Sequence, residues 1–228
     1  MTWNIRGAKN PDIGAIADVI RDAQADVVCL QEIMEHQARR LVKELGGDIH
    51  WGRKHSPYGP FWRKRTEGLA VWSRGIVDER IRSTLTRRVP SFVYLYRVLV
   101  AATVTVDEHR LRVYNVHLAT TTPLERIAQA RRLLAVVDRE QPSATVVVAG
   151  DLNARDEPDL IELFTATGLR DPGGANTNPA NKPYQRIDYV LVPDRCTDAA
   201  SSTPTGGPEW WKLSDHLPVT VTFTDVER

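Results

Sequence analysis

Short apolar runs alternate with amphipathic stretches along this chain. Residues 27–30 and 146–149 are rich in β-branched side chains and have the length of buried strands. An acid follows each run, Glu32 after the first and Asp151 after the second. Since α/β folds place their chemistry at the ends of strands, these two acids are the first candidates for a functional site.

Apolar residues at helical spacing predict four helices. We expect the first helix to begin at Pro11, with Asn10 as its cap, and the second to end at Gly46. Residues 122–125 form a capping box that opens a third helix, and 158–165 form a short fourth one. The apolar faces expected for the first three helices consist of Ile13, Ile16, Ala17 and Ile20, then Met34, Leu41 and Leu45, then Ile127, Ala130, Leu134 and Val137.

Further strands are predicted where apolar and β-branched residues cluster between turn residues, at 2–5, 67–74, 92–106, 111–118, 186–192 and 219–223. Several of them follow one another without an intervening helix. We therefore predict an α/β (α+β) protein, a four-layer α/β/β/α sandwich of two packed mixed β-sheets flanked by helices. No repeat or linker interrupts the pattern, so we expect a single domain over residues 1–228.

Composition argues against a strongly basic protein, a disulfide-rich protein and a membrane-spanning protein. The chain has 30 Lys and Arg residues against 29 Asp and Glu, so no global positive field attracts nucleic acid, and any attraction to an anion is local. Cys29 and Cys196 lie far apart and do not suggest a disulfide framework. No apolar run has the length of a membrane span, and residues 1–4 do not resemble a signal peptide. We expect a cytoplasmic protein, without a transmembrane segment, that acts as a monomer.

One segment, 51–65, combines basic and aromatic side chains and is predicted to be a loop. Such a combination suits a nucleic-acid strand or another phosphorylated ligand. The alternative is a solvated loop whose aromatic side chains pack into the core. The candidate substrate-binding residues are Arg53, Lys54, Arg63, Lys64 and Arg65, and the positive charge continues at Arg80, Arg82, Arg87 and Arg88.

Polar side chains at strand ends supply candidate chemistry. Asp151 and Asn153 suit a phosphate site, because a carboxylate holds a cation or orients water and a carboxamide donates to a phosphoryl oxygen. A strand-ending Asx turn is the alternative for this pair. Glu32 could instead begin a helix, and His117, which ends a predicted strand, could be a buried structural histidine.

Six motifs, taken together, carry a resemblance over nearly the whole chain. They are residues 2–5 (TWNI), 31–32 (QE), 115–118 (NVHL), 150–153 (GDLN), 186–189 (RIDY) and 214–218 (SDHLP). In this order they resemble the endonuclease/exonuclease/phosphatase superfamily, which has the deoxyribonuclease I-like fold. The resemblance implies hydrolysis of a phosphate ester by water with a divalent metal, usually Mg²⁺, for which Mn²⁺ can substitute.

The resemblance also implies roles for particular residues. Glu32, Asn4 and Asp215 would hold the metal. His216, paired with Asp188, would either take a proton from water or stabilise the phosphoryl oxygens as a cation. Asp151 would orient the attacking water or assist the leaving group, and Asn153 would donate to the phosphoryl oxygen. His117 would protonate the leaving oxygen, with Glu67 as its partner. We expect the strand-end residues of this set to converge at one end of the sandwich.

Three functions remain open at this point. A nuclease-type phosphodiesterase is favoured by the basic and aromatic segment. A phosphatase or phosphodiesterase acting on a small-molecule, inositol or phospholipid phosphate is favoured by the near-zero net charge. A catalytically inactive phosphate-binding module is disfavoured because every motif keeps its chemically competent residue. A zinc hydrolase is disfavoured because no closely spaced His or Cys residues form a tetrahedral set.

Overall fold

The structure is a computed structural model that describes residues 1–54, 66–86 and 96–224. The helices are α1 (Ile13–Asp22), α2 (Glu35–Leu45), α3 (Pro123–Glu140), α4 (Pro158–Thr165) and α5 (Pro208–Leu213). The strands are β1 (Thr2–Asn4), β2 (Val27–Met34), β3 (Asp48–Arg53), β4 (Glu67–Ser73), β5 (Ile76–Thr84), β6 (Val98–Val106), β7 (His109–His117), β8 (Thr145–Asp151), β9 (Leu169–Arg170), β10 (Asp188–Pro193), β11 (Ala200–Ser202) and β12 (Thr220–Thr222).

Two mixed sheets pack face to face and helices cover their outer faces. The four-stranded sheet has the order β1-β2-β4-β3 and the six-stranded sheet the order β5-β6-β7-β8-β10-β9, while β11 and β12 form a small separate pair. Side chains such as Val71 and Val100 fill the space between the sheets. Trp3 and Leu30 pack outward against α1 and α2, and Tyr114 packs against α3 and α4. The predicted α/β/β/α sandwich is confirmed.

Buried polar side chains also join the two sheets. Asn115 of β7 donates to the carbonyl oxygens of Leu30 (2.9 Å) and Ala70 (2.8 Å) and accepts a hydrogen bond from Gln31 (2.8 Å). A buried amide needs such partners, because leaving it unsatisfied costs about 1–3 kcal/mol. These bonds fix how the two sheets lie against each other close to the strand ends.

Two local predictions are wrong. Helix α1 begins at Ile13 rather than Pro11, because the Asp12 side chain caps it by accepting from the backbone N–H of Gly14 at 2.9 Å. Asn10 has a left-handed conformation at the end of a short 3₁₀ turn. Residues 51–53 belong to strand β3 rather than to a loop. The rest of the predicted loop, residues 55–65, lies outside the described residues.

The other helix boundaries agree with the sequence pattern. Thr122 caps α3 by accepting from the N–H of Glu125 at 3.2 Å, and Gly46 ends α2. The buried face of α3 is displaced by one position, since Leu133 and Val136 are buried while their neighbours are partly buried. Within the described residues, no helix combines the length and apolar character needed to cross a membrane.

Candidate active site

Strand register brings three polar side chains to one edge of the six-stranded sheet. The parallel pair β7 and β8 places His117 opposite Asp151, and antiparallel β10 places Asp188 opposite Asp151 from the other side. Glycine is required just before Asp151, because Gly150 has φ +150° and a Cβ there would lie 1.9 Å from the Val116 carbonyl oxygen.

His216 and Asp188 form a buried pair at this edge. Asp188 Oδ2 lies 2.9 Å from His216 Nδ1 and also accepts a 2.6 Å hydrogen bond from the Thr177 hydroxyl. Burial alone lowers the pKa of His216, but the negative charges of Asp188 and Asp151 outweigh it and raise the pKa to about 10. The structure therefore holds His216 as a cation whose Nε2 lies 3.9 Å from Asp151.

Asp151 is the carboxylate at the centre of the edge and is almost fully buried. It accepts hydrogen bonds from the Asn4 side chain (3.1 Å) and from the backbone N–H of Asn153 (3.0 Å). Burial raises the pKa of Asp151 to about 7, while the charge of His216 opposes that rise. Its ionisation thus falls in the range useful to a base at neutral pH. The Asn153 amide donates to the Leu118 carbonyl at 3.1 Å.

Glu32 lies in an irregular part of strand β2, where the register with β4 shifts between Leu30 and Ile33. Its φ of +56° is unusual for a residue other than glycine, and such strain is concentrated at functional sites. The expectation that Glu32 ends its strand is wrong, since β2 continues to Met34, and α2 begins only afterwards. Burial raises the pKa of Glu32, and the neighbouring carboxylate of Glu67 raises it further.

Asp215 and the residues beside it contact residues in and just after strand β1 of the four-stranded sheet. Asp215 forms a 3.1 Å ion pair with Arg6, and its neighbour Ser214 donates to the backbone oxygen of Asn4 at 2.6 Å. The Trp3 indole donates to the carbonyl of His216 at 2.8 Å. These bonds place residues 214–216 beside Asn4, so both sheets contribute to one cleft.

The partner expected for His117 is not the one that the structure shows. Glu67 accepts from Lys54 Nζ at 3.2 Å, and the carboxylates that approach the His117 ring are Asp151 (3.5 Å from Nε2) and Glu32 (3.9 Å from Nδ1). Among the described residues, Nδ1 of His117 has no hydrogen-bond partner. Burial lowers the pKa of His117 well below 6.5, and nearby positive charge lowers it further, so the ring is neutral.

The candidate substrate-binding residues separate into two environments. Arg53 is exposed at the end of β3, and its carbonyl oxygen accepts from Arg82 at 2.6 Å. Lys54 is 4% exposed, so it does not lie on the surface of a solvated loop. Arg63, Lys64 and Arg65 lie outside the described residues, as do Arg87 and Arg88.

Sequence reasoning missed two residues that act on this site. Arg97 is 3% exposed, and after burial it is the largest influence lowering the pKa of His117. Thr177 fixes the orientation of Asp188, as described above. Neither stands in a recognisable motif. Arg97 precedes an apolar strand and Thr177 lies in a loop rich in Asn and Pro, so no local signal could have identified them.

The donor atoms at this edge suit a hard divalent cation. Asp151, Asp188 and His216 form a group whose possible ligand atoms all lie within 4.8 Å of one another. Glu32 lies close to Asn4 and His117, and a cation near it would offset the unfavourable ionisation of that partly buried carboxylate. The residues present therefore fit a divalent metal.

A two-sheet sandwich with this edge, where carboxylates, amides and a His–Asp pair meet, is the architecture of a metal-dependent phosphoester hydrolase. Comparison with known proteins agrees. Residues 1–216 match the Endonuclease/Exonuclease/phosphatase family, and the chain belongs to that family. Members of the family are hydrolases that act on phosphoesters.

A sequence relative and several solved structures are similar to the chain, and the solved structures share its fold. The chain is 28% identical over 226 residues to the uncharacterized protein YbhP of Escherichia coli (strain K12), covering 90% of this chain and 85% of YbhP. An endonuclease/exonuclease/phosphatase from Bacteroides vulgatus has a TM-score of 0.78 at 19% identity, covering 98% of this chain and 97% of the other. The mannosyl-6-phosphatase Bt3783 of Bacteroides thetaiotaomicron has a TM-score of 0.74 at 16% identity, covering 98% of both chains.

Proposed function

We propose that the protein is a Mg²⁺-dependent phosphodiesterase that cleaves nucleic acid by in-line attack of water. The observation that carries the proposal is the buried pair of His216 and Asp188, 2.9 Å apart, facing Asp151 in the cleft that also holds Glu32. A cation and a base held together beside carboxylates for a metal are the groups that hydrolysis of a phosphate ester requires.

Glu32, Asp215 and Asn4 are the residues that would hold the metal. When bound, Mg²⁺ would supply positive charge to the phosphoryl oxygens, and Mn²⁺ would serve the same purpose. Glu32 has a φ of +56° at the register shift of β2, and its carboxylate lies 3.9 Å from Nδ1 of His117.

Asp151 is the proposed base. Its pKa of about 7 lets it accept a proton from water near neutral pH, and the hydrogen bonds from Asn4 and Asn153 hold it in one orientation. Attack forms the new bond from the water oxygen to phosphorus, breaks the bond to the leaving oxygen and transfers the water proton to Asp151.

His216 stabilises charge in this scheme rather than removing a proton. With a pKa raised to about 10 by Asp188 and Asp151 against the effect of burial, it is an imidazolium and donates to a phosphoryl oxygen. Asp188 and Thr177 are positioning residues, because they fix the ring.

His117 donates a hydrogen bond to the leaving oxygen as a neutral imidazole. This revises the expectation of a protonated acid, because burial and the charges of Arg97 and Lys54 disfavour the imidazolium. Solvent supplies the proton that the leaving oxygen finally takes up.

Support for a nucleic-acid substrate comes from the basic and aromatic sequence around 51–65 and from exposed Arg53. One observation favours the second candidate, a phosphatase for a small or lipid-borne phosphate. Two of the described cations in this region are paired within the protein, Arg80 with Asp48 and Lys54 with Glu67.

The test compares nicking of plasmid DNA with phosphate release from a panel of phosphomonoesters, in Mg²⁺, Mn²⁺ or chelator. We expect metal-dependent nicking, reduced about 10²–10³-fold in H216A. H36A, which removes an exposed histidine of α2, is the matched control and should keep full activity. Phosphate release from monoesters with intact plasmid would assign the protein to the phosphatases, and silence on both would contradict the proposal.

A further inference from the structure

Two buried cations, Lys54 and Arg97, lie beside the candidate active site. The mechanism above gives neither of them a contact with the substrate. Lys54 and Arg97 are 4% and 3% exposed, as little as Asp151 (1%), His117 (3%) and His216 (7%). Burying a charged side chain costs several kcal/mol, and an ion pair roughly balances that cost at best. Their burial at this place therefore needs an explanation other than stability.

The two cations reach the same place from different sheets. Lys54 follows β3, where its backbone N–H donates to the Glu67 carbonyl at 2.9 Å, at the end of the four-stranded sheet. Arg97 precedes β6, and because Leu99 pairs with Val116, it lies level with the end of β7 at His117. Arg97 is close enough to Lys54 to lower its pKa, after the effect of burial.

Carboxylates of the candidate active site lie around these two cations. Lys54 is paired with Glu67 at 3.2 Å, and the charges of Asp151, Glu67 and Glu32 each favour the charged form of Arg97 against burial. Those acids are also the ones that a divalent cation and its phosphate would engage. Once the metal occupies the cleft, the positive charge of Lys54 and Arg97 would face the substrate.

We propose that Lys54 and Arg97 bind a second anionic group of the substrate, next to the scissile phosphate and on the leaving-group side marked by His117. This inference rests on the proposed function. The group would be a phosphate or a similar oxyanion, for which the arginine fork and the lysine ammonium are suited. The preferred substrate is then a phosphate ester with a further phosphate close by, as in a nucleic-acid strand or a bisphosphate.

The first measurement is calorimetric binding, in excess Mg²⁺, of methylphosphonate, methylenediphosphonate and propane-1,3-diphosphonate. We expect one of the two diphosphonates to bind about 10-fold or more tightly than methylphosphonate, the gain typical of charge-assisted hydrogen bonds. This advantage should fall toward the twofold statistical value in K54M and in R97M, and largely return in K54R and R97K.

R112M is the matched control. Arg112 is also a buried cation, 4% exposed and ion-paired with Glu140 at 2.8 Å, but it lies in another part of the fold. It should lose stability and keep the diphosphonate advantage. If wild-type protein shows no advantage for either diphosphonate, or if K54M and R97M weaken all three ligands equally, the pair is only a counter-charge and the inference is overturned.

Hydrolysis separates this inference from the proposed function. We expect kcat/KM for TpT to rise when a terminal phosphate is added in pTpT or TpTp, and the rise to disappear in K54M and R97M. A larger gain with free bisphosphates than with these dinucleotides would identify the second phosphate as that of a small molecule. Cleavage of TpT, pTpT and TpTp at equal rates would overturn the inference alone, whereas absence of all hydrolysis beside a retained diphosphonate advantage would overturn only the proposed function.

Discussion

At the scale of single residues, the charge of His216 is the property on which the mechanism depends most. Two effects of opposite sign act on it, since burial disfavours the imidazolium and the carboxylates of Asp188 and Asp151 favour it. Because the folded pKa lies above the ordinary value of 6.5, the cation stabilises the fold fully below pH 6.5, and this contribution is lost as the pH rises toward 10.

The substitution D188N tests this balance. It removes the charge but keeps the shape, so we expect the pKa of His216 in metal-free protein to fall by about 1–3 pH units, the shift that one close charge produces. NMR titration of the histidine ring protons measures it. The exposed His36 provides an internal reference that should not change. An unaltered His216 titration in D188N would show that Asp188 does not hold the proton.

Sequence alone identified the residues of this site that belong to local motifs. The motif around 214–218 contains an acid next to an imidazole, and the one around 150–153 contains an acid and an amide two residues apart, which is informative without tertiary structure. Arg97 and Thr177 were missed because their influence arises only through contacts between distant segments. The predicted pairing of Glu67 with His117 failed for the same reason. Glu67 accepts from Lys54, which becomes its neighbour only through the pairing of β3 with β4.

At the scale of elements, the end of β8 depends on glycine. The backbone of β7 comes so close to Gly150 that a Cβ would lie 1.9 Å from the Val116 oxygen and 2.8 Å from its carbonyl carbon. We expect G150A to destabilise the protein by about 3 kcal/mol or more, because it combines strain with a backbone clash. Urea unfolding monitored by circular dichroism measures the change.

A matched control for this prediction lies at the end of α2. Gly46 also has a positive φ, +72°, but a Cβ there would meet no atom within 4 Å. G46A should therefore cost less than G150A, about 1–3 kcal/mol, because φ +72° and ψ −155° are strained for alanine but no clash adds to that strain. Equal losses of stability in G150A and G46A would mean that the β7 backbone yields to the added methyl group.

Element boundaries were predicted well where a cap or a glycine marks them and poorly where tertiary contacts decide. The capping box at Thr122 and the glycine at Gly46 set their helix ends locally. The bulge at Glu32 has no sequence signal, because its cause is the register between β2 and β4. The apolar run 27–30 thus predicts a strand but not the turn of the chain that directs Glu32 into the cleft.

At the scale of the whole molecule, the sequence predicts the arrangement of helix and sheet layers but not the order of the strands within each sheet. Alternating strands and helices indicate helices outside packed sheets, but nothing local specifies that β1 pairs with β2 or that β10 joins β8. These pairings decide which strand ends meet. Consequently, the convergence of Asn4, Asp151 and His216 was expected only from the family resemblance.

The last prediction concerns the stability of the whole chain with and without metal. Because the pKa of partly buried Glu32 is raised, its ionised form opposes folding of the metal-free protein above that pKa, and the stabilising contribution exists only at lower pH. E32Q removes the charge at nearly constant shape. We therefore expect metal-free E32Q to have a higher Tm than wild type at pH 7.

Addition of Mg²⁺ should reverse that order. A ligand present at a hundredfold excess over its Kd stabilises the folded state by about 2.7 kcal/mol, and only wild type retains the carboxylate needed to bind it. Differential scanning calorimetry with and without Mg²⁺ measures both effects, with H36A as a variant that should behave like wild type. An equal rise in Tm for wild type and E32Q would show that the cation binds elsewhere. If E32Q is the more stable protein without Mg²⁺ and wild type is the more stable with it, the fold tolerates an unfavourable charge at Glu32 because the metal offsets it.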